Sequence, residues 1–260
     1  MAQLQLSFAG AGRVAEALCL EMYNRGFKIL QIVSESSSGG KSLASKCNAS
    51  WSSALNFEDN NDLIIVAVPD SRLKEVLSGI ACPENSIVVH TAGSYGLDIF
   101  PSRIKNKGVF YPLQTFTKGR KINFTELPFL IETSLPETGD ILKTIAASLG
   151  SKVFFAGAEK RRMLHLAAVF VCNFTNHMLT AGKEIAAQGD MPFDLLEPLI
   201  TETIHKAIEN GPEFSQTGPA VRKDMNTINM HLDLLSFSPE LKEIYNVVTS
   251  SIINHYKKES

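Results

Sequence analysis

The sequence is poor in the features that mark several common protein classes. It has four cysteines in 260 residues, Cys19, Cys47, Cys82 and Cys172. They are scattered and form no C-x-x-C pair, which argues against a zinc site or a disulfide framework and suits reduced thiols. No metal site is expected. Lysine plus arginine (25) nearly balances aspartate plus glutamate (27), for a net charge of −2. With no dense basic run, the chain lacks the footprint of a nucleic-acid binder. No apolar run approaches the ~20 residues that span a bilayer, so no membrane association is expected. The first residues read directly as a strand, leaving no room for a signal peptide. The expectation is a cytoplasmic protein. A hydrophobic content of 44% against 20% charged residues gives enough apolar matter for a core and excludes disorder.

What is present starts at once. Leu4–Ala9 reads as a strand, followed by Gly10-Ala11-Gly12-Arg13-Val14-Ala15, a G-x-G-x-x-A motif that opens a helix. The first glycine allows a tight turn, and the second lets backbone approach a pyrophosphate. The alanine lets helix pack closely on strand. The helix N-terminus directs N–H groups and a positive dipole at phosphate. Gly10, Gly12, Arg13 and Val14 are therefore candidate cofactor contacts. Val14, Leu18 and Met22 recur at helical spacing, Gly26 closes the helix, and residues 27–33 form a second strand.

Further along, a serine-rich loop spans 34–40 and a short helix 41–47. Residues 62–69 form a continuous apolar run, as expected of a strand buried on both faces of a parallel sheet. More strands are expected at 86–91, 108–111, 128–133 and 152–155, with helices at 71–79 and 137–149. Strands alternating with helices indicate an α/β, Rossmann-like doubly wound sheet over residues 1–156. After Gly157 the strand signals stop. Helices are expected at about 158–188, 192–209, 220–235 and 239–258, so residues 157–260 read as an all-α domain. Its first helix is too apolar to stand alone in water and requires a bundle or a dimer.

Ligands of such sheets bind outside the carboxyl ends of the strands. Besides the glycine turn, that edge receives Val68-Pro69-Asp70 and the loop carrying Thr91 and Gly93. At the end of the second strand, Ser34, Ser36 and their neighbours with Lys41 favour the 2′-phosphate of NADP. Glu35 favours the ribose hydroxyl of NAD. The balance falls on NADP, with NAD the alternative. In the helical half, His165, Ala168, Cys172 and Asn176 form one stripe at 100° per residue, flanked by Asn173. These polar groups either bond backbone within the packing or act on a substrate. In the second case His165 donates or accepts the proton and Asn173 orients the substrate. Gln114 and Thr115 follow a strand end and are candidate substrate contacts. Thr217 is a candidate helix N-cap, and Arg222 either pairs with Asp224 or meets an anionic substrate group.

The glycine motif, Val66–Asp70, Tyr111–Phe116, His165–Ala168 with Asn173, and Thr217–Asp224 together resemble a family of bacterial NADP oxidoreductases of the deazaflavin-dependent label. These pair a Rossmann-like domain with an uncharacterised helical C-terminal domain. The resemblance covers nearly the whole chain. It implies a fold related to pyrroline-5-carboxylate reductase, ketopantoate reductase and 3-hydroxyacid dehydrogenases, in which a helical domain completes the active site and usually builds a dimer. This chain departs from the family pattern at Tyr111, where histidine is frequent, and at Lys223, where glycine is frequent. Many members also carry arginine near the position of Glu35. The expectation is an NAD(P)-dependent oxidoreductase acting on a small carbonyl, hydroxyl or imine compound between its domains, as a homodimer through the helical domain. The competing expectation is a non-catalytic, NAD(P)-binding regulatory or partner-binding dimer.

Overall fold

The apolar run Leu63–Val66 is buried along its whole length. It forms the middle of an eight-stranded sheet in a computed structural model that describes residues 4–257. The strands are β1 (Gln5–Ala9), β2 (Lys28–Val33), β3 (Ser50–Ser52), β4 (Leu63–Val66), β5 (Ile87–His90), β6 (Lys107–Pro112), β7 (Phe129–Thr133) and β8 (Val153–Phe155). Their order is β3-β2-β1-β4-β5-β6-β7-β8. Every pairing is parallel except that of β6 with β7. The 3-2-1-4-5-6 core is the doubly wound order, and its direction reverses between β1 and β4. Helices α1 (Arg13–Asn24), α2 (Ser37–Lys46), α3 (Asp70–Gly79) and α4 (Pro136–Ser148) connect these strands.

Two apolar clusters sandwich the sheet. One joins Phe8, Leu18, Met22 and Phe110 to α4 through Leu142 and Ile145. The other gathers Ile64, Val66, Leu73 and Leu77. The first also holds Cys19 and Cys47, whose sulfurs lie 3.2 Å apart.

The chain divides into two compact units between Cys172 and Asn173. The first includes the sheet and α5 (Ala158–Ala168). A π-helical stretch, Val169–Phe174, carries the division. The second unit is helical: α6 (Thr175–Gln188), α7 (Glu197–Asn210), α8 (Pro212–Ser215), α9 (Pro219–Arg222), α10 (Met225–Leu234) and α11 (Pro239–Tyr256). Among the described residues, no helix is long and apolar enough to cross a membrane.

Several expectations are corrected. The serine-rich stretch is a loop only to Ser36, because the Ser36 hydroxyl accepts from the Gly39 amide and starts α2 there. The expected helix at 220–235 is two helices. Lys223 takes a left-handed conformation (φ 56°) after the single turn of α9, and Asp224 restarts the chain as the N-cap of α10. Thr217 does not cap α9; Gly218 holds that position with φ 110°. The stripe drawn through His165, Cys172 and Asn176 assumed 3.6 residues per turn. The π-helical stretch has wider turns and breaks that register.

Candidate active site

The carboxyl ends of β1, β2, β4, β5 and β6 share one edge of the sheet because these strands run parallel. From β2 to β6 that edge measures about 19 Å, four strand spacings. Two clusters of residues lie along it.

The first surrounds the turn after β1. Gly10 has φ 115°, and its amide donates to the Val33 carbonyl at 2.7 Å. A Cβ there would overlap the Ala67 carbonyl oxygen, so only glycine fits. Gly12 is the converse case: a Cβ would meet nothing within 4 Å. It faces a cleft of about 350 Å³ that also receives Ser34, Glu35, Ser36, Val68 and Arg72. Among the described residues no side chain caps the first turn of α1, which leaves its amides for a ligand. An open cradle that a side chain would fill, beside uncapped helix amides, fits a dinucleotide pyrophosphate.

The rim of this cleft differs from the sequence expectation in detail. The buried Ser34 hydroxyl donates to the Ser36 carbonyl and accepts from Trp51 Nε1 at 3.1 Å. Ser36 Oγ is occupied in capping α2. Lys41 stacks over the Trp51 ring, 4.9 Å from its centroid. Arg72, in the first turn of α3, pairs with both Glu35 and Glu75. Pro69 lines the cleft, Arg13 is exposed, and Val14 packs against the core. Asp70 accepts from Ser94 Oγ, and the Thr91 amide donates to the Val66 carbonyl at 3.1 Å.

The second cluster sits at the ends of β5 and β6. The Tyr111 hydroxyl lies 3.0 Å from His165 Nδ1, with the two rings edge to face. Gly93 packs against both. A Cβ on it would lie 2.9 Å from Tyr111 Cζ and 3.0 Å from His165 Nδ1. Burial and the nearby Asp70 carboxylate raise the pKa of Tyr111, against the pull of the Arg161 cation. Tyr111 therefore stays a neutral phenol. Arg161, one helical turn before His165, is fully buried. Its guanidinium donates to Glu132 Oε2 at 2.8 Å, to the Ala156 carbonyl at 2.9 Å and to the Tyr95 carbonyl. It thereby ties α5 to β7 and to the loop that carries Gly93. Behind that loop the buried His90 accepts from the Ala92 amide through Nδ1, and its Nε2 faces the Gly96 carbonyl. Burial lowers its pKa to about 4.

Of the remaining candidates, Gln114 and Thr115 are exposed just beyond β6, and Gln114 Oε1 accepts from the Thr115 amide at 2.8 Å. Asn173, Thr217 and Arg222 belong to the second unit. Asn173 and Arg222 are exposed, and Thr217 borders an apolar cavity of about 390 Å³ there. Asp224 does not pair with Arg222 in a salt bridge. Its carboxylate accepts from the Thr227 amide at 3.1 Å and hydroxyl at 2.7 Å, and these bonds lower its pKa.

Comparison with known proteins agrees with this layout. A family described as a Rossmann-like domain matches residues 1–114, and the domain of unknown function DUF2520 matches residues 127–252. Among curated proteins none matches. Among solved structures, the "putative NADP oxidoreductase BF3122 from Bacteroides fragilis" is 38% identical over 97% of this chain and 98% of its own, with a TM-score of 0.88. The chain belongs to this Rossmann-like DUF2520 family. Protein TM1727 from Thermotoga maritima shares the fold at 22% identity and a TM-score of 0.72, over 98% of this chain and 99% of its own. A pyrroline-5-carboxylate reductase from Coxiella burnetii shares it at 14% identity and 0.58, over 99% of each chain.

In this member of the family, sequence reasoning passed over three residues. Tyr111 stands in the Tyr111–Phe116 motif, of which only Gln114 and Thr115 were expected to touch substrate. As a polar ring near the carboxyl end of a buried strand, it was itself the signal. Arg161 lies among the basic residues at the start of α5, and Arg72 among the charges of α3. Neither carries a pattern that marks its partners.

Proposed function

We propose that the protein is an NAD(P)-dependent oxidoreductase, with NADP as its dinucleotide, acting on a small carbonyl, hydroxyl or imine compound. The observation that carries this reading is the Tyr111–His165 pair. It is packed on Gly93, on the same sheet edge as the glycine cradle. A 38% identical relative named as an NADP oxidoreductase supports the cofactor class. A bound nicotinamide dinucleotide supplies or accepts the hydride. Protonated on both nitrogens, His165 directs Nδ1–H at the Tyr111 hydroxyl oxygen, gives its Nε2 proton to the substrate oxygen or nitrogen and is left as a neutral imidazole; in the reverse direction the neutral Nε2 takes that proton up. Arg161 holds the helix that carries the imidazole. Asn173, Gln114, Thr115, Thr217 and Arg222 are proposed as substrate contacts. A second copy of the chain is proposed to pair through the helical unit.

The test is His165→Ala, assayed with NADPH against a panel of small ketones, aldehydes and cyclic imines. The expected outcome is a loss of about a hundredfold or more in turnover, with NADPH affinity within about threefold of wild type. Unchanged turnover would remove His165 from the chemistry.

A further inference from the structure

The mouth of the glycine cleft contains one side chain that the motif did not call for. Arg72 is the only cation among the described residues lining the cleft. From the first turn of α3 it reaches across to Glu35, the second residue past β2, and on its own helix it meets Glu75. The residues first expected to hold a 2′-phosphate have other duties. Ser34 bonds Trp51, Ser36 caps α2 and Lys41 lies over the Trp51 ring. Both carboxylates are mostly exposed, at 78% for Glu35 and 69% for Glu75. Ion pairs this exposed are worth about 0–1 kcal/mol and exchange readily. A guanidinium on a phosphate dianion forms a stronger, forked contact.

We propose that Arg72 is the selector between the two dinucleotides. It exchanges Glu35 for the 2′-phosphate of NADP, while Glu35 remains free to accept the 2′-hydroxyl of NAD. The inference rests on the dinucleotide reading above and adds to it the residue that decides the 2′ group.

The experiment is calorimetric titration of wild type, Arg72→Gln and Glu35→Gln with NADPH, NADH and the fragments 2′,5′-ADP and 5′-AMP. Arg72→Gln is expected to weaken NADPH and 2′,5′-ADP by about tenfold or more. NADH and 5′-AMP should stay within about twofold, since their contacts do not include Arg72. Glu35→Gln should tighten the two phosphorylated ligands and weaken NADH. Equal weakening of all four ligands by Arg72→Gln would mean that it serves the adenosine as a whole, and would overturn the proposal. So would an unchanged preference between NADPH and NADH. If wild type binds the dinucleotides with a preference that depends on Arg72 but turns over no substrate, the oxidoreductase reading fails and this one stands; if it binds neither, both fail.

Discussion

His90 shows how much one side chain's surroundings decide. Its ring is fully buried beside Phe100, and burial disfavours the protonated form strongly enough to outweigh the Gly96 carbonyl facing Nε2, so the pKa falls to about 4. The unfolded chain binds a proton near pH 6.5, and the folded chain does not until about pH 4. Stability therefore falls as pH drops below about 6.5. The loss grows toward about 3 kcal/mol at pH 4. Urea unfolding at pH 4.5, 5.5 and 7 should show this slope, and His90→Asn should flatten it. A slope equal in both proteins would place the titration elsewhere. At the neighbouring pair, Tyr111→Phe removes the bond to His165 Nδ1 without removing the ring. Turnover should drop about tenfold to a hundredfold while melting temperature stays within a few degrees. Gly93→Ala pushes a methyl between the same two rings. It should lower both stability, by about 1–3 kcal/mol, and turnover. Stability and turnover both equal to wild type would show that the pair is not packed as described.

At the scale of elements, the β1–α1 turn was the most legible feature of the chain, because its demands are local. A glycine in the left-handed half of backbone space needs no distant partner to be recognised. The structure adds the reason substitution fails, which is the Ala67 carbonyl on the adjacent strand. Gly10→Ala is therefore expected to destabilise the protein by about 2 kcal/mol or more and to abolish NADPH binding, by thermal melting and titration. A variant that melts and binds like wild type would contradict the close approach. Seven of the eight strands were legible for a similar reason, since apolar runs such as 62–69 and 86–91 suit a doubly covered sheet; β3, three residues with two serines, carries no such run and was not expected. Three helical features were not. The start of α2 depends on one serine bond, the break at Lys223 on one left-handed residue, and the π-helical stretch on a change of turn width. None alters the apolar pattern that a periodic reading counts.

Over the whole molecule, the two units bury very different amounts of apolar matter. The first has two clusters on its sheet. Among the described residues of the second, the buried hydrophobic ones are Ala181, Ala220, Ile228, Leu235 and Leu241, and α7 has no buried residue. Leu199, Ile208 and Val247 are 64%, 77% and 64% exposed. So small a core does not offset the ordering of its backbone. We propose a second copy as what covers this unit, since two-fold pairs are the commonest assemblies. Sedimentation equilibrium should give about twice 28.5 kDa. Ile208→Asp should shift it to the monomer and lower the melting temperature together. A wild-type monomer at micromolar concentration would exclude the dimer.

The sequence by itself determined seven of the eight strands, the glycine turn and the helical second half, because each follows from the spacing of residues along one stretch of chain. Only the tertiary structure decided that Tyr111 and His165, 54 positions apart, share a hydrogen bond over Gly93. It also decided that Arg72 answers Glu35 across a cleft mouth and that Arg161 is buried in an ion pair. These are meetings between elements. Their energies depend on which strand lies beside which and how far a side chain reaches, and no local pattern carries that information.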